Sequence, residues 1–284
     1  MGEIIKMDRI MLIDGNNYMY RANIAFANFG YTASAVETSE NVMIFNFFRN
    51  LRATIEQFQP EKVYFVLEGH PKHRYEILPE YKANRIVKTA EKKEAKDKFY
   101  INAHEIIRLL NYLPVTFAKA ENYECDDVIS TLVDDLKDED VLVVSSDSDY
   151  IQLLQKNYAR VAIWNATKKE FMKPPPYHYI GWKCLAGDKS DNIKNIVGPK
   201  KAEKLITSPE LLSEFLSVEE NRAKFNINKS LIEFSNIPRE EIVLSSGERQ
   251  YSLLKEEFIK LEFQSLVNDK AWEKFTTTFD CIKF

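Results

Sequence analysis

Apolar residues fall in two rhythms along the chain, and each rhythm predicts its own kind of element. Short unbroken runs, Ile10-Met11-Leu12-Ile13, Val63-Tyr64-Phe65-Val66-Leu67, Val115-Thr116-Phe117-Ala118 and Val141-Leu142-Val143-Val144, are rich in β-formers and bounded by polar turn residues. Such runs read as strands, and the longer of them as strands buried on both faces of a parallel sheet. Elsewhere apolar positions recur at helical spacing. From Val42 to Phe58 the residues Ile44, Phe45, Phe47, Phe48, Leu51, Ile55 and Phe58 share one face, and Pro60 closes the element. A second helix runs from Phe99 to Leu113, and a third carries the stripe Val128, Ile129, Leu132, Val133, Leu136. Val161–Trp164 and Glu170–Met172 read as a strand pair joined by a polar turn, and Pro174-Pro175-Pro176 closes the α/β portion. Beyond it the pattern is mostly helical. The expectation is an α/β fold with a mostly parallel central sheet flanked by helices over residues 1–176, and a helical region over 177–284 packed on it.

Composition adds little to this picture. Of 284 residues 45% are hydrophobic and 29% charged, ordinary for a globular chain, and a net charge of -4 with a pI near 5.8 gives no whole-chain sign of a polyanion partner. Cys125, Cys184 and Cys281 are odd in number and lack paired metal-ligand spacing, which points to a reducing compartment. No apolar run reaches membrane-spanning length, the N-terminus lacks a signal-peptide core, and Lys6 stands where a myristoylation motif wants Ser or Thr. The reading is a cytoplasmic chain without a membrane partner.

One stretch departs from its surroundings. Residues 72–98 hold nine Lys or Arg (Lys72, Arg74, Lys82, Arg85, Lys88, Lys92, Lys93, Lys96, Lys98) against five acids, with Tyr75 and Tyr81 interleaved. A basic insertion with aromatics can follow a phosphate backbone and stack bases, while the plainer reading is a solvated helical face with pairs such as Glu94 and Lys98.

The chemistry gathers at the ends of the predicted strands. Asp14 and Glu68 follow the first two, Asp147 and Asp149 follow Val141–Val144, and Glu124 and Asp126 open the helix before it, with Asp188 and Asp191 in a later turn. On a wheel of about 100° per residue, Glu124 and Asp126 flank the apolar stripe whereas Asp127 points nearly opposite, which makes Asp127 an outer candidate. Asn122 can cap this helix, a purely structural use of the segment. Two like charges roughly 4 Å apart repel by about 4 kcal/mol at an effective dielectric near 20, so a converged cluster needs bound cations. Oxygen-only ligands favour Mg²⁺ or Mn²⁺, and two such ions can activate water, hold a phosphoryl group and stabilise a leaving oxygen, which implies phosphodiester hydrolysis. A haloacid-type phosphatase is disfavoured because Asp14-Gly15-Asn16 lacks the second Asp its motif needs. Further on, Gly198-Pro199-Lys200-Lys201 opens a helix whose amides and lysines suit a phosphate clamp, or simply turn one helix into the next.

From Ile10 to Leu205 the chain resembles the flap endonuclease / 5'-3' exonuclease superfamily, most closely its bacteriophage members, some of them called phage ribonuclease H. Ile13-Asp14-Gly15-Asn16 is similar to the first metal-binding strand end, and Leu78-Pro79-Glu80-Tyr81-Lys82-Ala83-Asn84-Arg85 to the start of a helical arch. Tyr123-Glu124-Cys125-Asp126-Asp127, Ser145-Ser146-Asp147-Ser148-Asp149 and Gly187-Asp188-Lys189-Ser190-Asp191-Asn192 resemble the other carboxylate motifs. The resemblance implies a PIN-like fold with the arch at about 72–98 and a helix-three-turn-helix in the C-terminal region. It implies that Asp14, Glu68, Glu124, Asp126 and Asp147 hold a first metal, with Asp149, Asp188 and Asp191 around a second. Lys82 and Arg85 would act on the scissile phosphate, and Tyr81, Gly198, Lys200 and Lys201 would meet nucleic acid. The implied partners are flapped, nicked or 5'-ended DNA and RNA/DNA hybrids, met by a monomer during DNA replication, in the host cytoplasm if the protein is a phage's, with a K⁺ at the helix-three-turn-helix. Two positions depart from the pattern: Glu68 replaces an Asp, and Ile196-Val197-Gly198-Pro199 shortens a two-glycine turn, with Pro199 removing an amide donor. A rival reading is a catalytically inactive DNA-junction-binding module.

Overall fold

The computed structural model describes residues 9–24, 41–85, 89–156 and 158–283. Lys88 of the basic stretch and Lys6 lie outside the described residues. In chain order the elements are β1 (Arg9–Asp14), α1 (Gly15–Ile24), α2 (Val42–Phe58), β2 (Lys62–Val66), α3 (Lys72–Ile77), α4 (Ala90–Leu110), β3 (Thr116–Lys119), α5 (Cys125–Asp135), β4 (Asp140–Val144), α6 (Ile151–Leu154), β5 (Val161–Asn165) and β6 (Glu170–Phe171). The second half holds α7 (Tyr179–Ala186), α8 (Pro199–Ile206), α9 (Pro209–Ser217), α10 (Glu219–Ile232), β7 (Val243–Ser246), α11 (Tyr251–Lys260), α12 (Gln264–Val267) and α13 (Asp269–Phe279).

The sheet order is β6-β5-β4-β1-β2-β3-β7. The strands from β5 to β3 run parallel, and the two edge strands pair antiparallel. Alternation along β1 sends Met11 and Ile13 into one core and Ile10 and Leu12 into the other. The first core packs α1, α2, α4 and the C-terminal helices on the sheet; the second packs α5 and Leu153 of α6 on its other face. From β1 the chain builds outward through β2 to β3, then returns to place β4 and β5 on the opposite side. Order therefore reverses between β1 and β4, and in such sheets the carboxyl ends at the reversal form a crevice.

The C-terminal region is not wholly helical. β7 joins the sheet beside β3, and Leu254, Phe258, Phe263, Phe275, Phe279 and Ile282 fill the same core as Phe47 and Phe48. Phe48 and Phe258 meet edge to face with centroids 5.0 Å apart. The Val-Leu-Ser-Ser run of β7 carries no alternation because all four residues are exposed, and it pairs with β3 through the backbone with one hydroxyl contact between Thr116 and Ser246. Helix α4 begins earlier than its apolar stripe, at Ala90, with Thr89 as N-cap accepting from the Lys92 amide. Its residues 91–98 are all exposed, so good helix formers extend it without burial, as the plainer reading of the basic stretch has it. Among the described residues no helix is long and apolar enough to cross a membrane.

Phe258→Ala empties a site packed by Phe48, Phe263 and Phe275, and is expected to lower stability by about 3–5 kcal/mol in urea unfolding monitored by circular dichroism.

Candidate active site

Each acid at the crevice is fixed by the element that carries it. Asp14 ends β1, and its carboxylate accepts from the Asn17 amide at 3.0 Å, the Ser145 hydroxyl at 2.9 Å and the Tyr150 hydroxyl at 3.3 Å. Burial, with Asp147 nearby, raises its pKa despite these donors. Glu68 lies just past β2 and accepts from the Cys125 amide at the start of α5, at 3.2 Å. Its neighbour Gly69 is pressed against α5's approach: a Cβ there would stand 2.1 Å from the Ala120 carbonyl oxygen. Burial, then the charge of Glu124, pushes Glu68 up to about 7.

Glu124, not Asn122, is the N-cap of α5, and the Asp127 carboxylate accepts from its amide at 3.2 Å. The face of α5 opposite the apolar stripe is covered rather than open to solvent. There Asp127 is fully buried, gripped at both oxygens by Arg74 at 2.6 and 2.7 Å, and it accepts from the Ser235 amide at 2.7 Å. Asp127 thus anchors the helix start and points away from the crevice. Arg74, one of the basic residues of the 72–98 stretch, is 1% exposed and also donates to Glu124 at 2.7 Å and to the Leu231 carbonyl at 3.0 Å. Burial acts to raise the Glu124 pKa, but Lys82 and then Arg74 hold it below its usual value.

Tyr81 packs its ring within the protein, edge to face with Tyr75. It is 3% exposed and donates to Glu124 at 2.9 Å and Asp191 at 3.1 Å, so burial removes it from base stacking. Lys82 takes a left-handed conformation (φ 55°), its amide donating to the Asp191 carbonyl at 3.0 Å and its ammonium pairing with Glu124. Arg85, in a 3-10 turn at Ala83–Arg85, pairs with Asp191 at 2.5 Å. Asp191 thus shares Lys82 with Glu124 and holds Arg85 as well.

Those two acids are bridged by a lysine. Lys183 of α7 is buried, pairs with Asp149, and stands 2.6 Å from Asp188. Burial raises Asp149 to about 6 against the pull of Lys183, while Asp188, more open, is held below its usual value by the same ammonium. The Asp188 turn begins at Gly187, whose φ of 70° suits glycine, and closes by hydrogen bonds between Asp188 and Ile193. Asp147 accepts from the Asp149 amide at 2.9 Å.

All the predicted ligands, Asp14, Glu68, Glu124, Asp126, Asp147, Asp149, Asp188 and Asp191, line one cavity of about 1270 Å³, with Lys82 and Arg85 on its wall. Oxygen atoms of Glu124, Asp126 and Asp127 lie within 4.8 Å of one another. The oxygen donors suit hard divalent cations, and the ammonium groups of Lys82 and Lys183 stand between carboxylates where positive charge is needed. Gly198, Lys200 and Lys201 are exposed at the start of α8 and do not line this cavity. Arg74 and Lys183 were not singled out in the sequence. Lys183 had a signal, as the one charge in the apolar run from Tyr179 to Ala186; Arg74, set among surface lysines, had none.

Residues 9–177 match the family model described as 5'-3' exonuclease, N-terminal resolvase-like domain. A 5'-3' exonuclease of Buchnera aphidicola subsp. Schizaphis graminum is 24% identical, with 98% of this chain and 94% of that protein aligned. DNA polymerase I of Lactococcus lactis subsp. lactis is 31% identical over 75% of this chain, which spans only 25% of the polymerase. The bacteriophage T5 flap endonuclease, solved as a pseudo-enzyme-product complex with DNA and metal ions, superposes with a TM-score of 0.61 at 17% identity, covering 96% of this chain and 98% of that one. The chain belongs to the 5'-3' exonuclease family and is a 5' nuclease.

Removing Arg74 leaves Asp127 buried without its counter-ion, so Arg74→Met is expected to destabilise the fold by about 3–5 kcal/mol in chemical denaturation, with Arg74→Lys restoring only part. A carboxyl whose folded pKa exceeds its unfolded value binds its proton more tightly in the fold. The contribution of Glu68 is thus complete below about pH 4.5 and is lost as pH rises through about 7. In chelating buffer, melting temperature is expected to fall less steeply over that window in Glu68→Gln than in the parent chain.

Proposed function

We propose that the chain is a divalent-metal-dependent, structure-selective 5' nuclease that hydrolyses phosphodiesters at 5' ends, flaps or primers of branched DNA. The observation that carries this reading is the convergence of the strand-end acids on one cavity whose wall holds Lys82 and Arg85. Asp14, Glu68, Glu124, Asp126 and Asp147 would hold a first Mg²⁺ or Mn²⁺, and Asp149, Asp188 and Asp191 would surround a second. When bound, such ions supply Lewis acidity and a counter-charge for phosphate.

The protein's own part is positioning. Lys82 and Arg85, paired with Glu124 and Asp191, are within reach of a phosphate entering the cavity, where they would neutralise charge as the bond breaks. Exchange of a carboxylate partner for a phosphate keeps each cation satisfied throughout. Gly198, Lys200 and Lys201 at the start of α8 would grip a duplex by its backbone, away from the cavity, with a K⁺ at the same turn. The T5 flap endonuclease complex supports DNA as partner, and RNA primers of replicating DNA would be further substrates. The chain would act as a monomer, in the host cytoplasm if it is a phage's.

The test is cleavage of a labelled 5'-flap duplex and of the same substrate with an RNA 5' strand, in Mg²⁺ and in chelator. Metal-dependent release of 5' products is expected, with Lys82→Ala and Asp147→Asn each lowering kcat by about 10²-fold or more while duplex binding persists. Binding without cleavage under every metal condition would leave only a junction-binding role.

A further inference from the structure

The cavity does not end at its carboxylates. Lys173, Pro175 and Tyr177 from the connection after β6, with Tyr179 and Trp182 of α7, line the same space. Tyr179 is the hinge between the two parts: its hydroxyl donates to Ser148 at 3.1 Å and stands 3.5 Å from Asp149, while its ring lies nearly parallel to that of Trp182, at 28° and 6.1 Å between centroids. The Tyr177 ring is 6.0 Å from Trp182 on a 39° tilt. An aromatic shelf thus begins one ring away from a predicted metal ligand.

The shelf is held in place from below. The Tyr179 amide donates to the Gln155 side chain at 2.8 Å, and the same side chain donates to the Tyr177 carbonyl at 2.7 Å. The Trp182 indole N–H donates to the Pro199 carbonyl at 3.3 Å, which ties the ring to the first residue of α8. Tyr179 is buried, whereas Tyr177 and Trp182 are only half-buried and Lys173 is exposed. Flat π-faces fixed on a rigid backbone, beside a lysine and next to a phosphate-cleaving cavity, match the chemistry of base stacking, which every nucleobase can satisfy.

We propose that Tyr177 and Trp182 form a nucleobase-stacking subsite that receives an unpaired base of the strand being cut, with Lys173 meeting its phosphate. The assignment rests on the nuclease reading above. A base can lie on this shelf only when turned out of its duplex, so the subsite favours frayed or single-stranded nucleotides beside the cut and is indifferent to sequence.

The experiment uses the full chain and 5'-flap substrates carrying 2-aminopurine singly at each nucleotide flanking the cut, in chelating buffer for binding and in Mg²⁺ for cleavage. Quenching of 2-aminopurine at one position by the parent chain and by Trp182→Phe, and its loss in Trp182→Leu, is expected. Trp182→Leu should raise KM about ten-fold with a smaller change in kcat, and an abasic nucleotide at the same position should raise the parent's KM as much without adding to that of the variant. Tyr177→Ala, outside any helix, gives the same comparison if Trp182→Leu does not fold. Normal cleavage with no position distinguishing parent from variants overturns the subsite and leaves the nuclease standing; absence of any flap binding or cleavage overturns both.

Discussion

Everything at the crevice answers to one constraint, the mutual repulsion of carboxylates brought together in a partly dry space. At roughly 4 Å and an effective dielectric near 20 each close pair costs about 4 kcal/mol, a large share of the stability of an ordinary domain. The fold meets this with cations placed from three separate parts of the chain. Arg74 neutralises Glu124 and Asp127 at the start of α5, Lys82 shares Glu124 from the crevice side, and Lys183 joins Asp149 to Asp188. The first of these is a scaffold, since its guanidinium is buried and also holds the Leu231 carbonyl of α10. The other two line the cavity, where incoming divalent ions or phosphate can take over their charge.

Topology explains why such distant acids meet. Reversal of strand order between β1 and β4 opens a crevice at their carboxyl ends, and Asp14 and Asp147 flank it directly. Glu68 comes from just past the next strand over, and the start of α5 delivers Glu124 and Asp126 from the covering layer. The Glu68 carboxylate is held by the Cys125 amide, which donates to it, and the next residue, Gly69, lets the chain pass close to the Ala120 carbonyl.

The parts of this arrangement that could be read from the sequence are those encoded locally. Unbroken β-branched runs marked the parallel strands, and an acid immediately after such a run is itself a local signal, so Asp14, Asp147 and the acids opening α5 could be found. What the sequence hid are choices of partner across long separations. Nothing near Arg74 distinguishes it from the lysines beside it, yet its partners lie some fifty and more residues away. Tyr81 sits in a basic run and still turns inward, because its ring packs with Cys184, Ile193, Leu231 and Ile232 while its hydroxyl reaches Glu124. Asp191 and Asp188 stand three residues apart, yet Asp191 pairs with Arg85 and Asp188 with Lys183, which no local pattern announces. β7 escaped because edge pairing through the backbone requires no pattern of side chains.

That last strand has a bearing on how the protein comes into being on the ribosome. Until residues 243–282 have been made, the outer edge of β3 has no partner and the core around Phe47 and Phe48 lacks Phe258, Phe275 and Phe279. A chain that already carries every acid of the crevice is, without them, missing the aromatic layer that packs on α2. The crevice therefore rests on a core that residues 254–282 complete, so its acids gain their support only once that segment has packed.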